Sequence, residues 1–260
     1  MKSRKVILHA DNITIGYSDK RGNVVAEGVN LTLRKGTFTT LIGANGIGKS
    51  TLLRTLSGLQ EPLAGDIMLK GQPLFKYTPN QLAQELSLVL TETLPNGNLT
   101  VYELVALGRQ PYTNWIGSLN EYDNALIKKS LRLTNTTHLS QKKINEISDG
   151  QLQNVLIART LAQDTSLIIL DEPTTHLDLP HKIALLRLLK NLAEKQDKSI
   201  LYSTHDLDLA LQMSEEIVVM KKGHLEQGSL VELNERDSLS DLFDDENIFY
   251  DKQNSRFIYR

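Results

Sequence analysis

The chain has 260 residues, with 29 lysines and arginines against 31 aspartates and glutamates, for a formal net charge of −2. That length suits one large α/β domain or two small ones, and a near-neutral balance with no basic stripe gives no support for a nucleic-acid partner. Cysteine is absent, which excludes disulfides and thiolate metal sites and fits a reducing compartment; the apolar run after the basic N-terminus is too short for a signal peptide, and none nears the roughly 18 residues of a membrane span.

Residues 5–42 read as β-rich, with short alternating runs at residues 12–17 and 29–33 broken by Gly22 and Gly36. Residues 39–42 read as a buried strand and 49–59 as a helix. Between them, residues 43–51 run Gly-Ala-Asn-Gly-Ile-Gly-Lys-Ser-Thr. This fits G-x-x-x-x-G-K-[ST], a phosphate loop when it joins a strand to a helix. Glycines let backbone N–H groups face inward without Cβ clashes, and the helix N-terminus adds to the anion nest. Lys49 is placed to reach β- and γ-phosphates, and the Ser50 hydroxyl to ligate Mg²⁺. Asn45, Gly46, Gly48 and Thr51 belong to the same candidate cradle.

Further strands are expected at residues 66–69 and 86–90. Residues 100–163 read as mostly helical, with breaks at Pro111, Gly117 and Ser148–Gly150. Residues 167–170, Leu-Ile-Ile-Leu, are apolar without alternation, which is how a strand covered on both faces reads. Asp171 and Glu172 follow, at the carboxyl end where α/β sheets bind ligands. An acid at 171 can hold Mg²⁺ through water. Glu172 points elsewhere and is the candidate general base for an attacking water. Pro180 opens a helix to about Lys195. Strands at 199–203 and 217–220 flank a short helix at 206–213, and Lys222-Gly223 makes a hairpin turn. Alone, His205 at a strand end is a polar cap; on the strand after Asp171-Glu172 it can hydrogen-bond a γ-phosphate or the attacking water. Residues 235–246 hold six acids and one arginine, with weak strand signals at 248–250 and 257–259. With no repeat and no linker, the order suggests one composite domain.

Taken together, Gly43–Thr51, Ile147-Ser148-Asp149-Gly150-Gln151, Leu170–Pro173, Leu177-Asp178 and Ser203–Asp206 resemble the ATP-binding subunit of an ABC transporter, across about residues 5–233. The resemblance implies an α/β fold: a P-loop NTPase (RecA-like) core, an N-terminal antiparallel β-subdomain and an inserted α-helical subdomain. These would form a single nucleotide-binding domain over 1–260, with the core at about 1–90 and 164–233, the helical subdomain at about 91–163 and a tail at 234–260. It further implies a head-to-tail homodimer closing on two ATP molecules with Mg²⁺. Each nucleotide would lie between the P-loop of one copy and the signature run 147–151 of the other, contributed by Ser148, Gly150 and Gln151. Tyr17 matches the aromatic residue set against adenine. Asp178 matches the loop that touches the partner copy, and His176 before it reads as an interface residue. Lys49, Glu172 and His205 form the implied catalytic set.

The sequence departs from the family pattern twice. Asp149 replaces a glycine of the signature, adding a carboxylate near a triphosphate. Glu92 falls where the family has a metal-linked glutamine, and joins Ser50 and Asp171 as a candidate Mg²⁺ ligand. Residues 99–117, with 89–92 and 174–178, are similar to importers of iron chelates, haem and vitamin B12. That similarity implies an ATPase energising uptake through a separate integral-membrane permease, fed indirectly by a substrate-binding protein. Its place would be cytoplasmic, peripheral on the inner face of the membrane. A soluble ABC ATPase acting on nucleic acid or ribosomes is the alternative, but the chain carries one cassette and no heptad stretch. A non-hydrolysing ATP-binding regulatory module is a third reading, opposed by Lys49, Asp171, Glu172 and His205.

Overall fold

The computed structural model describes residues 4–17, 23–90, 97–243 and 247–259. β1 (Val6–Tyr17) and β2 (Asn23–Arg34) pair antiparallel over most of their twelve residues each. Both outrun the alternating stretches in the sequence. Asp11-Asn12 breaks the alternation, and the structure absorbs it as an irregularity at Asn12, whose φ is +48°, before the ladder resumes at Ile13. β3 (Phe38–Gly43) leads to α1 (Lys49–Leu56). That helix ends three residues short of the expected Leu59, because Gly58, at φ +75°, turns the chain away. β4 (Ala64–Leu69) and β5 (Gln72–Pro73) complete a four-stranded antiparallel sheet in the order β2-β1-β4-β5.

α2 (Pro79–Glu85) then leads into β6 (Leu86–Val89), the edge strand of a six-stranded sheet. The helical lobe follows: α3 (Val101–Ala106), a 3₁₀ turn at Leu107–Tyr112 that contains Pro111, α4 (Glu121–Leu133) and α5 (Asp149–Gln163). The expected break at Ser148–Gly150 lies earlier and is longer: residues 134–148 hold no α-helix, only 3₁₀ turns at Thr137–Leu139 and Ile144–Glu146, and the break ends at Ser148. That residue caps α5, and Gly150 lies inside its first turn. β7 (Leu167–Leu170), α6 (Leu179–Gln196), β8 (Ser199–Ser203), α7 (Leu207–Met213), β9 (Glu216–Lys221) and β10 (His224–Gly228) complete the larger sheet. Its order is β10-β9-β3-β8-β7-β6, parallel throughout except for the β9–β10 hairpin. α8 (Leu230–Glu235) and the hairpin β11 (Ile248–Asp251)–β12 (Arg256–Tyr259) follow; Phe243, Tyr250 and Phe257 join the apolar cluster of Ala210 and Leu211 on α7.

The unbroken apolar run of β7 is explained by what covers it. Leu167 and Ile169 share a core with Leu52, Leu53 and Leu56 of α1 and with the antiparallel sheet. Ile168 and Leu170 pack with Leu185, Leu186 and Leu189 of α6. The parallel register sets Val89, Leu170 and Tyr202 side by side, and Leu41 beside Ser203. The C-terminal ends of β3, β6, β7 and β8 therefore lie along one rim.

In the helical lobe, Gly108 permits a contact no other residue could make: a Cβ there would lie 2.3 Å from the Arg159 carbonyl oxygen. The next residue, Arg109, is buried. Its Nε donates to Asp123 Oδ1 at 2.8 Å, and its Nη1 donates to the Ala162 carbonyl at 2.9 Å, near the C-terminal end of α5. The guanidinium also stacks over Tyr112, 4.0 Å from the ring centroid. One cation thus ties the 3₁₀ turn to α4 and α5. Among the described residues, no helix is long and apolar enough to cross a membrane.

Candidate nucleotide site

The glycines of residues 43–51 answer to different constraints. Gly48 is at φ +113°, and a Cβ there would sit 2.1 Å from Val25 Cγ1. Gly46 is at φ +73° with open space around it. Gly43 has an ordinary φ, but a Cβ would meet the Met220 carbonyl oxygen at 2.6 Å. Gly48→Ala should therefore combine torsional strain with a collision, whereas Gly46→Ala carries the torsional cost alone, about 1 kcal/mol. Titration of both variants with a fluorescent nucleotide should show Gly48→Ala losing more affinity; the reverse order would contradict this reading of the loop.

Gly48 also stands at the cap position of α1, which has no side-chain cap. The helix N-terminus is thus left for a ligand. Lys49 is 5% exposed, and its Nζ donates to the Gly43 and Ala44 carbonyls at 2.9 and 3.1 Å. Burial lowers the Lys49 pKa, partly opposed by the charges of Glu172 and Asp171. Ser50 is exposed and Thr51 buried. The Thr51 hydroxyl is 3.1 Å from that of Tyr17, at the end of β1, which is otherwise half-exposed.

Across the rim, Asp171 is buried, and its N–H donates to the Val89 carbonyl at 2.8 Å. Ser203 organises both acids: its hydroxyl donates to Asp171 Oδ1 at 2.6 Å and accepts the Glu172 N–H at 2.9 Å. Glu172 holds a left-handed backbone at φ +47°. Its Oε1 meets His205 Nε2, and its Oε2 accepts from the Thr175 hydroxyl at 3.2 Å. Ser203 and Thr175 are organising residues that the motif reading missed. The signal for Ser203 was its register beside Asp171, which only the parallel pairing of β7 and β8 makes visible.

The signature run forms a second group. The Ser148 hydroxyl accepts the Gln151 N–H at 3.3 Å, and Gln151 Oε1 accepts the Ser148 N–H at 3.1 Å, a reciprocal capping box. Asp149 is exposed in the first turn of α5. Gly150 lies against the loop before α6: a Cβ there would be 3.0 Å from the His176 carbonyl oxygen. Asp178 caps α6 by accepting the His181 N–H at 3.1 Å and also pairs with His181 Nδ1. These bonds, the side-chain one first, hold its carboxyl below the usual range. Among the described residues, no hydrogen bond joins Ser148, Gly150 or Gln151 to the P-loop. Glu92 lies outside the described residues.

A family model described as ABC transporter matches residues 26–175. The iron(3+)-hydroxamate import ATP-binding protein of Bacillus subtilis strain 168 is 39% identical over 238 residues, covering 91% of this chain and 87% of its own. The chain belongs to the ABC transporter family. Two solved ABC structures share its fold. One, described as a metal-chelate type ABC transporter in an inward-facing conformation, superposes with a TM-score of 0.74 at 28% identity, over 86% of this chain and 84% of its own. The other, a dimeric bacterial ABC transporter cassette, gives 0.77 at 25% identity, over 86% and 98%. The mixed α/β architecture with its separate antiparallel sheet is that of an ABC cassette, and the chain is an ABC-type ATPase that binds ATP.

Proposed function

We propose that this ABC ATPase energises uptake of iron chelates through a separate permease, working as a pair of copies that close on two ATP molecules. The observation that carries the hydrolytic part is the set Lys49, Asp171, Glu172 and His205 gathered at one rim, with Glu172 held by Ser203, Thr175 and His205. The iron-chelate cargo rests on the relative that imports iron(3+)-hydroxamate and on the similarity of residues 99–117 to that subgroup. In the same reading the chain sits at the cytoplasmic face of the membrane, held by the permease, with a substrate-binding protein delivering cargo outside.

The roles follow from chemistry. Backbone N–H groups of Asn45, Gly46 and Gly48, the hydroxyls of Ser50 and Thr51 and the Lys49 ammonium hold the phosphates. Tyr17 carries the adenine ring. Glu172 takes the proton of the attacking water as general base, and His205 orients that water and Glu172. The oxygen set of Ser50 and Asp171 suits Mg²⁺, which keeps several waters and phosphate oxygens and needs few protein ligands. Glu92 is assigned to the same metal. Mg²⁺, when bound, neutralises charge developing on the phosphates. Ser148, Gly150 and Gln151 of one copy face the nucleotide of the other, and Asp178 borders the same interface. A multiple-turnover ATPase assay, with pull-down of the permease from detergent-solubilised membranes, tests the whole reading; absence of turnover would return the chain to a regulatory role.

Lys49→Ala should weaken ATP binding about 10- to 100-fold, the worth of one charge-assisted hydrogen bond; unchanged affinity in equilibrium titration would contradict the phosphate role. A pH effect accompanies it. The free protein holds the Lys49 pKa down, and an arriving triphosphate raises it. Binding therefore takes up a proton in the alkaline range. Affinity should fall as pH rises through the free-state pKa of Lys49, and Lys49→Ala should abolish that slope.

A further inference from the structure

Asp206 follows His205 directly and occupies the cap position of α7. Aspartate there ordinarily accepts a backbone N–H of the first helical turn. Thr78, Thr100, Asn120, Ser148, Asp178 and Ser229 each cap their own helix in that way. Asp206 does not. Its Oδ2 instead accepts from Lys182 Nζ at 2.8 Å, between side chains 38% and 21% exposed. Lys182 stands one turn into α6, its N–H donating to the Asp178 carbonyl at 2.9 Å.

The backbone of the turn carrying His205 is anchored to β3 by the Thr204 N–H, which donates to the Leu41 carbonyl at 3.2 Å, and is otherwise held locally. The Asp206 N–H donates to the Thr204 hydroxyl at 3.0 Å, and the Leu207 N–H to the His205 carbonyl at 3.0 Å. Apart from Glu172, Lys182 is the side chain from another element that hydrogen-bonds to residues 204–206, among the described residues.

We propose that Lys182 is a positioning residue for hydrolysis. By drawing the Asp206 carboxylate away from its helix, it fixes the turn that sets the His205 imidazole against Glu172. It also ties that turn to the helix capped by Asp178. The inference rests on the hydrolytic reading above. Lys182 acts through Asp206, so its loss should appear in turnover and not in nucleotide affinity.

The test is steady-state ATP hydrolysis by the full chain. Lys182→Met should lower kcat about ten-fold, as a small displacement of a reacting group does, with KM for ATP within about two-fold of wild type. Asp206→Asn should do the same, and the double variant should be no worse than either single one, because both break one contact. Lys182→Arg should restore most of the rate. An unchanged kcat in Lys182→Met, a loss confined to KM, additive single losses, or failure of Lys182→Arg to rescue would each overturn the proposal. Failure of the underlying reading looks different: wild-type protein would show no turnover, or Glu172→Gln would match it.

Discussion

Glu172→Gln is expected to lower ATP hydrolysis by a factor of about 10²–10⁴, the usual contribution of a general base, while nucleotide still binds. The change is nearly isosteric. The Glu172 N–H still reaches Ser203, and an amide oxygen still accepts from Thr175, so the left-handed turn at residue 172 survives. Only the carboxylate's capacity to take a proton is lost, together with its pairing to His205. On the proposed roles, Lys49 is untouched, and a closed pair with uncleaved ATP should accumulate. Phosphate release measures the first effect, and light scattering with Mg²⁺-ATP the second. Turnover within about ten-fold of wild type would remove Glu172 as the base.

Arg109→Ala is expected to destabilise the protein by about 3–5 kcal/mol, the cost of stranding one member of a buried ion pair. The Arg109 and Asp123 side chains are 4% and 2% exposed. Removing the guanidinium leaves a buried carboxylate with the Asn120 N–H, at 3.0 Å, to satisfy it. It also frees the Ala162 carbonyl. Denaturant unfolding measures the loss. Joint replacement by apolar residues, Arg109→Met with Asp123→Leu, should recover most of it, because no buried charge remains; a double variant as unstable as the single one would show that the cation itself is required. The pair also carries a pH dependence. Burial pushes the Asp123 carboxyl up, but the Asn120 N–H and the Arg109 guanidinium outweigh it and hold the pKa below the usual value. Its stabilisation is present above the unfolded-state pKa and is lost as pH falls through the folded one.

Contrasts of this kind separate what periodicity reveals from what it hides. Residues 167–170 announced a strand covered on both faces because that needs only composition and run length. Residues 43–51 announced a loop joining a strand to a helix because that pattern is a local motif. α2 and α8, of seven and six residues, are too short for a 3.6-residue period to emerge; their capping boxes, Thr78 with Gln81 and Ser229 with Glu232, were the usable signal. Ser203 with Asp171, Arg109 with Asp123 and Lys182 with Asp206 join elements 14 to 32 residues apart, and such partnerships exist only once the elements have packed. The signature run was recognisable as a motif, but not that Gly150 also lies close against the His176 carbonyl of its own chain, where a Cβ would be tight.

The backbone at residue 172 carries a cost of its own. A left-handed torsion is held at less expense by glycine or asparagine, and a glutamate there gives up on the order of 1 kcal/mol. A lineage selected for durability alone would drift away from this side chain, since a more stable replacement is a single codon change away. A binding module with no reaction to perform would have nothing to hold the acid in place. On the proposed role of Glu172, the chain bears that torsional cost in exchange for a carboxylate beside the water it would activate.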